Sequence, residues 1–166
     1  KFSELIQDCF YDLNGIVNQY FAEIYKYVGD EVILTWKKER GISKNNCLDF
    51  YFEFIATLLR KKQYYQSKYE LIPEFKASIN FGEVTVLEIG NIKREIAYYG
   101  DVLNTGARII GLCSDYNSNL LIPIDLINYF DFSKEFDKIA IGDIELRGKE
   151  KKIELYSITK KDFKLD

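Results

Sequence analysis

The chain has 166 residues, 47% hydrophobic, 16% aromatic and 30% charged, which suits one folded globular domain with a sizeable core. Net charge is −3, so there is no basic footprint for nucleic acid. No apolar run approaches the roughly 20 residues that a membrane-spanning helix needs, and no signal peptide stands at the start.

In chain order, apolar residues from Phe2 to Tyr20 recur at helical spacing and predict a first amphipathic helix. Two β-rich runs, Phe21 to Val28 and Glu31 to Trp36, flank Gly29-Asp30, a tight hairpin signal. Cys47 to about Tyr69 reads as one long second helix with aromatics on its buried face. Strands are expected over Phe75 to Phe81, Val84 to Ile89 and Ile92 to Tyr99, punctuated by Gly82, Gly90 and Gly100. A helix follows from Asp101 to about Cys113, then a short buried strand, Leu120 to Pro123, and a short helix, Ile124 to Tyr129. Asp137 to Ile141, Ile144 to Arg147 and Lys151 to Ile158 close the chain as strands. The order predicts an α+β sandwich with helices packed on a mixed sheet.

Cys9, Cys47 and Cys113 are widely spaced and the chain has no histidine, which excludes zinc sites and histidine-activated nucleophiles. The cysteines read as reduced core residues of a cytoplasmic domain. Lys149, Lys151 and Lys152 cluster, but Glu150 and Glu154 interleave with them, as on a solvated face. With no methionine and a start at Lys-Phe-Ser, the natural beginning is expected upstream.

The most informative stretch is Tyr99 to Arg108, a strand end opening into a helix. Asn104 and Arg108 stand four residues apart and share one helix face. An amide beside a guanidinium suits a ribose and a phosphate, or else belongs to a capped helix with a structural salt bridge. Asp30, on the hairpin turn, could ligate Mg²⁺ together with substrate phosphates, or be a plain turn aspartate. Strand alternation puts Lys26, Val28 and Asp30 on one face. Lys26 could donate to a purine ring nitrogen, or protect an edge strand from aggregation. Arg147-Gly148-Lys149 becomes a phosphate signal if it folds back near Arg108.

Four pieces in order resemble the catalytic domain of class III nucleotidyl cyclases, the adenylate/guanylate cyclase family. They are Lys26-x-x-Gly29-Asp30, Ser78 to Val84, Gly100-Asp101-x-x-Asn104-x-x-x-Arg108, and Leu146-Arg147-Gly148 followed by Ile153 to Tyr156. The resemblance spans nearly the whole chain. It implies a ferredoxin-like core, a single domain over 1–166 and a head-to-tail homodimer with sites at the interface. It also implies an adenylyl cyclase using two Mg²⁺ or Mn²⁺ ions to convert ATP to cyclic AMP and pyrophosphate.

Carried over by position, Asp30 is a metal ligand and Lys26 the purine-reading residue. Asn104 orients the ribose, Arg108 stabilises charge on the α-phosphate, and Arg147 holds the terminal phosphates. Ala97 falls where many adenylyl cyclases place Asp or Thr as a second adenine contact. The first strand of the family, with a first metal aspartate, is expected before the opening helix, where only Lys1 and Phe2 stand. Membrane contact is expected only through segments outside this chain. The alternatives are a non-catalytic regulatory or dimerisation module, a guanylyl cyclase, or a diguanylate cyclase, whose signature Val28-Gly29-Asp30-Glu31-Val32 resembles superficially.

Overall fold

The computed structural model describes residues 1–148 and 151–161. Lys149 and Glu150, part of the lysine-rich run noted above, lie outside the described residues. The chain forms two compact units, Lys1–Phe75 and Lys76–Asp166.

The first unit opens with α1 (Phe2–Val17), followed by a 3-10 turn, Asn18–Tyr20. Leu5, Cys9, Leu13 and Ile16, three or four residues apart, form the buried stripe that the periodicity predicts. A hairpin, β1 (Glu23–Val28) and β2 (Glu31–Thr35), comes next. Gly29 supplies φ +63° in its two-residue turn, as primed hairpin turns require. A short helix α2 (Lys38–Ile42) leads through a 3-10 turn to α3 (Asn46–Arg60) and α4 (Lys62–Tyr69). Aromatic Phe50, Tyr51, Phe52 and Phe54 are buried on α3, which packs on α1.

The single helix expected over 47–69 is therefore broken at Lys61, whose backbone sits at φ −98°, ψ 14°. Its N–H is shared between the Thr57 and Leu58 carbonyls, at 3.3 and 3.1 Å, a local tightening that ends the α pattern. Its ammonium pairs with Asp12 of α1, a buried carboxylate that also accepts the Tyr65 hydroxyl at 2.7 Å. Long-range pairing with α1 thus coincides with the break, and helical periodicity alone carries no sign of it.

The second unit holds a four-stranded mixed sheet in the order β3 (Ala77–Ser78), β6 (Leu120–Pro123), β8 (Ile153–Lys160), β7 (Phe136–Ile144). β3 runs parallel to β6, and the other pairs are antiparallel. A separate hairpin joins β4 (Thr85–Ile89) to β5 (Glu95–Tyr99). Helix α5 (Asp101–Gly111) follows β5, and α6 (Ile124–Ile127) follows β6. The architecture is the α+β class read from the sequence, a mixed and mostly antiparallel sheet with helices.

The strand expected over 137–141 runs on to Ile144, and residues 145–147 of the strand expected over 144–147 lie outside it. β7 runs through a bulge between Ala140 and Gly142, and Gly142 takes φ +109° there, so the glycine bends the strand without ending it. The strand stops at Ile144, and Arg147 lies in a turn rather than in a strand. Ile109 and Cys113 from the α5 segment, Leu121 from β6, Leu146 after β7 and Leu155 from β8 form one buried cluster. Burying each such leucine or isoleucine contributes about 1.5–3 kcal/mol.

Candidate active site

Helix α5 starts where Gly100 permits. A Cβ at Gly100 would stand 2.7 Å from the Glu83 carbonyl oxygen, so only glycine lets these two backbones approach so closely. The Leu103 N–H bonds the Gly100 carbonyl at 3.3 Å, and Asp101 stands in the first turn, where the helix dipole favours a carboxylate. Asp101 also accepts the Thr105 hydroxyl at 3.3 Å.

Thr105 and Ile109 are the buried pair of this helix. One residue earlier, Asn104 and Arg108 form the exposed i, i+4 pair, as the spacing predicts. Two side-chain bonds hold the helix to the segment of β3 and the residues after it. Ser78 Oγ donates to the Gly106 carbonyl at 2.8 Å, and Asn80 Nδ2 donates to the Val102 carbonyl at 3.2 Å. These place both partners within the Ser78 to Val84 motif and the helix that carries Asn104 and Arg108.

The two ends of α5 differ in charge. At the N-terminal end a cleft of about 320 Å³ is lined by Asn80, Glu83, Asp101, Thr105 and Asp125, and its three carboxylates repel phosphate. At the other end Arg108 stands in the last turn, favoured by the dipole. There the chain folds back. A Cβ built on Gly148 would be 3.6 Å from both terminal nitrogens of Arg108, and Gly148 has φ +74°. The Arg147-Gly148 turn thus lies near the Arg108 guanidinium, and Lys149 of that tripeptide is outside the described residues. Arg147 is exposed beside it. Leu146, buried in the same cluster as Ile109, anchors the turn, and sequence reading did not single it out as a site-shaping residue. The apolar-Arg-Gly pattern at 146–148 is the signal that marks it.

Ala97 is buried on β5 opposite Leu87 and offers no side-chain donor or acceptor. Lys26 and Asp30 belong to the first unit. Lys26 is exposed on β1 opposite Ile33, just after a bulge between Ile24 and Lys26. The Tyr27 ring lies 4.8 Å from Phe10 and its hydroxyl donates to Asn14 at 3.0 Å, tying that face of β1 to α1. Lys26 and Val28 alternate with Tyr27, but Asp30 does not continue the alternation. It sits in the two-residue turn that Val28 and Glu31 close, where strand geometry has ended.

Asp30 is exposed and suits one bond to a hard cation. Among the described residues no group of three or more metal-ligating side chains gathers anywhere. A divalent ion at Asp30 would take most of its ligands from nucleotide phosphates and water, which is how Mg²⁺ is commonly bound.

Solved structures that this chain resembles in fold include nucleotidyl cyclases. The adenylyl cyclase CyaB from P. aeruginosa has a TM-score of 0.74 at 16% identity, over 99% of this chain and 84% of its own. A bacterial light-regulated adenylyl cyclase has a TM-score of 0.74 at 21% identity, over 95% of this chain and 44% of its own. In sequence, adenylate cyclase 2 of Rhizobium meliloti (strain 1021) is 28% identical over 159 residues, 96% of this chain, and the chain spans 44% of that relative's length. Residues 1–160 match the adenylate and guanylate cyclase catalytic domain family, and the chain belongs to it.

Proposed function

We propose that the chain is an adenylyl cyclase catalytic domain, one functional domain over 1–166, that converts ATP to 3′,5′-cyclic AMP and pyrophosphate. The observation that carries this reading is the pairing of exposed Asn104 and Arg108 on α5, with the Arg147-Gly148 turn near Arg108. In the reaction the ribose 3′-oxygen bonds to the α-phosphorus, and the bond from that phosphorus to the β-bridging oxygen breaks. The hydroxyl proton passes to solvent and pyrophosphate departs. Asn104 holds the ribose with its amide. Arg108 meets the charge that grows on the α-phosphate oxygens, and Arg147 binds the terminal phosphates. Lys26 donates to adenine N1, an acceptor, where guanine N1 would be a donor. Bound Mg²⁺ or Mn²⁺, two ions per site with Asp30 as one ligand, would supply neutralisation of the phosphates.

In this reading a head-to-tail homodimer builds the site, with Asp30 from one protomer and Lys26, Asn104 and Arg108 from its partner. The β4–β5 hairpin supports a second copy as partner. Val86, Leu87, Ile89, Ile96 and Tyr99 are each between 41% and 59% exposed there, more apolar surface than an isolated hairpin leaves in water without a partner. Three free, buried cysteines and the absence, among the described residues, of a helix able to cross a membrane suit a cytoplasmic domain.

A second reading, turnover of GTP as well as ATP, rests on Ala97, since a base-reading position without a polar group discriminates less between the bases. Competition of ATP against GTP, with cyclic products separated by chromatography, tests both. Cyclic AMP as the main product supports the first, and cyclic GMP the second.

A further inference from the structure

We propose that Ser78 and Asn80 are positioning residues for Asn104 and Arg108: together they fix the rotation of α5 about its own axis. This inference rests on the cyclase reading above and adds to it two side chains that act through the helix.

The two bonds match a strand repeat to a helix repeat. Ser78 Oγ donates to the Gly106 carbonyl at 2.8 Å, and Asn80 Nδ2 donates to the Val102 carbonyl at 3.2 Å. Ser78 ends β3, and the Ile79 N–H bond to the Leu121 carbonyl at 3.3 Å carries the sheet pairing one residue further. Residues two apart on extended chain share a face and stand about 6.5 Å apart. Val102 and Gly106, four apart on α5, are separated by a rise of about 6 Å. The spacings agree, so both bonds form at once, the later donor holding the earlier carbonyl. A carbonyl has two lone pairs and the helical bond uses one, so neither clamp opens the helix.

The clamps bear directly on the working face. At about 100° per residue, Val102, Thr105, Gly106 and Ile109 fall within an arc of about 100°. Thr105 and Ile109 are the buried pair of that arc. Asn104 follows Val102 by two residues, and Arg108 follows Gly106 by two, about 200° around the helix in each case. Each proposed substrate contact therefore leaves α5 nearly opposite a clamped carbonyl. A small turn of the helix on its axis would swing both side chains the same way.

Apolar packing fixes that rotation only in part. Thr105 and Ile109 are the buried residues of this 11-residue helix, and just one of them is apolar. Ile109 sits in the cluster with Leu121 and Leu155, near the C-terminal end. Burial is non-directional, whereas a hydrogen bond weakens steeply as its angle departs from linear. The clamps hold the two turns that carry Asn104 and lead to Arg108.

Ser157 on β8 provides the control. Its hydroxyl bonds that of Ser118 at 2.7 Å, and both residues are buried. Ser157→Ala thus removes a hydroxyl bond from the same unit that does not involve α5.

The experiment measures kcat and KM for ATP, and thermal midpoints, in the full-length protein and in Ser78→Ala, Ser78→Thr, Asn80→Ala, Ser78→Ala/Asn80→Ala and Ser157→Ala, with Ser78→Ala repeated in an Arg108→Ala background. All three single alanine variants are expected to lose some stability. Only the clamp variants are expected to lower kcat, by about 10-fold when both clamps are gone, with KM within about two-fold, as expected when reacting groups are slightly misplaced. Ser78→Thr keeps the hydroxyl donor and is expected to retain kcat. In the Arg108→Ala background the further loss from Ser78→Ala is expected to shrink, since one of the side chains it aims is absent. A kcat in the clamp variants equal to that of Ser157→Ala would overturn the role while leaving the cyclase reading intact. So would a folded Ser78→Thr as slow as Ser78→Ala, or an undiminished further loss in the Arg108→Ala background. Failure of the unmodified protein to form any cyclic nucleotide would overturn the cyclase reading, and the role with it.

Discussion

Ile109 and Leu146 lie in one buried cluster although 37 positions apart in the chain, Leu146 at 3% exposure and Ile109 at 0%. That shared burial is what sets Arg108 beside the turn of Arg147 and Gly148. Core packing and the proposed phosphate grip are in this respect one structure.

Leu146→Ala should therefore act twice. Removing three buried carbons from a core cluster costs about 2–5 kcal/mol, read as a lowered midpoint in urea unfolding. Triphosphate affinity should fall beyond that of an equally destabilising change in the other unit, such as Leu48→Ala at the fully buried Leu48 of α3. Isothermal titration with a non-cyclisable ATP analogue, below the unfolding range of both variants, separates the two effects.

Arg108→Ala removes the cation proposed to meet transition-state charge. Loss of one preorganised donor of this kind costs about 3–4 kcal/mol in barrier, or roughly 10²–10³ in kcat. Because Arg108 is exposed in the last turn of α5, its loss should move the thermal midpoint little. A large kcat loss with an unchanged midpoint is the expected pattern.

Asp12→Ala is the converse case, a change in stability at a residue outside the proposed site. It leaves the fully buried Tyr65 hydroxyl without its 2.7 Å acceptor and Lys61 without its counter-ion. An orphaned buried hydroxyl costs about 1–3 kcal/mol. Tyr65→Phe in the Asp12→Ala background should restore part of that loss, since the stranded hydroxyl is then gone.

Asp8 gives the first unit an acid sensitivity. Its carboxylate pairs with Lys68 at 2.8 Å and accepts the hydroxyls of Tyr69 at 2.6 Å and Tyr64 at 2.7 Å. The Lys68 bond and then the two tyrosine bonds lower its pKa from 3.8 to about 2. A carboxylate depressed in the folded state stabilises fully above the unfolded value and loses that contribution as pH falls through the folded one. The stability advantage of the unmodified protein over Asp8→Asn should thus be constant above pH of about 5 and shrink steadily between about 4 and 2. Thermal midpoints measured across that window give the difference directly.

The thiols should be silent. Burial raises the Cys47 thiol to about 12 and the Cys9 thiol to about 11, and Cys113 is also raised by burial. Since the thiolate is the reactive form, native protein should label slowly with a maleimide at neutral pH, and rapidly at three sites after unfolding.

Much of this was legible in the residues. The hairpin at Gly29-Asp30, the strand Leu120–Pro123 and the exposed pair Asn104 and Arg108 follow from local rules, because turn chemistry and helical period are properties of neighbouring residues. The helix break at Lys61 and the continuity of β7 through Gly142 were not, because each depends on partners far along the chain: Asp12 in the first case, strand β8 in the second. Gly148 shows the same limit. A glycine after an arginine reads locally as a turn, and only the fold shows that Arg108 comes near it.

The central claim is that this domain makes cyclic AMP with Arg108 at the reacting phosphate. The most direct measurement is cyclic nucleotide formation from ATP by the full-length protein with Mn²⁺ or Mg²⁺, beside Arg108→Ala and Asp30→Ala. Cyclic AMP and pyrophosphate in equal amounts, lost in both variants while each remains folded, is the predicted result. A folded, dimeric protein that forms no cyclic nucleotide with either metal, or one whose activity survives Arg108→Ala unchanged, would contradict it.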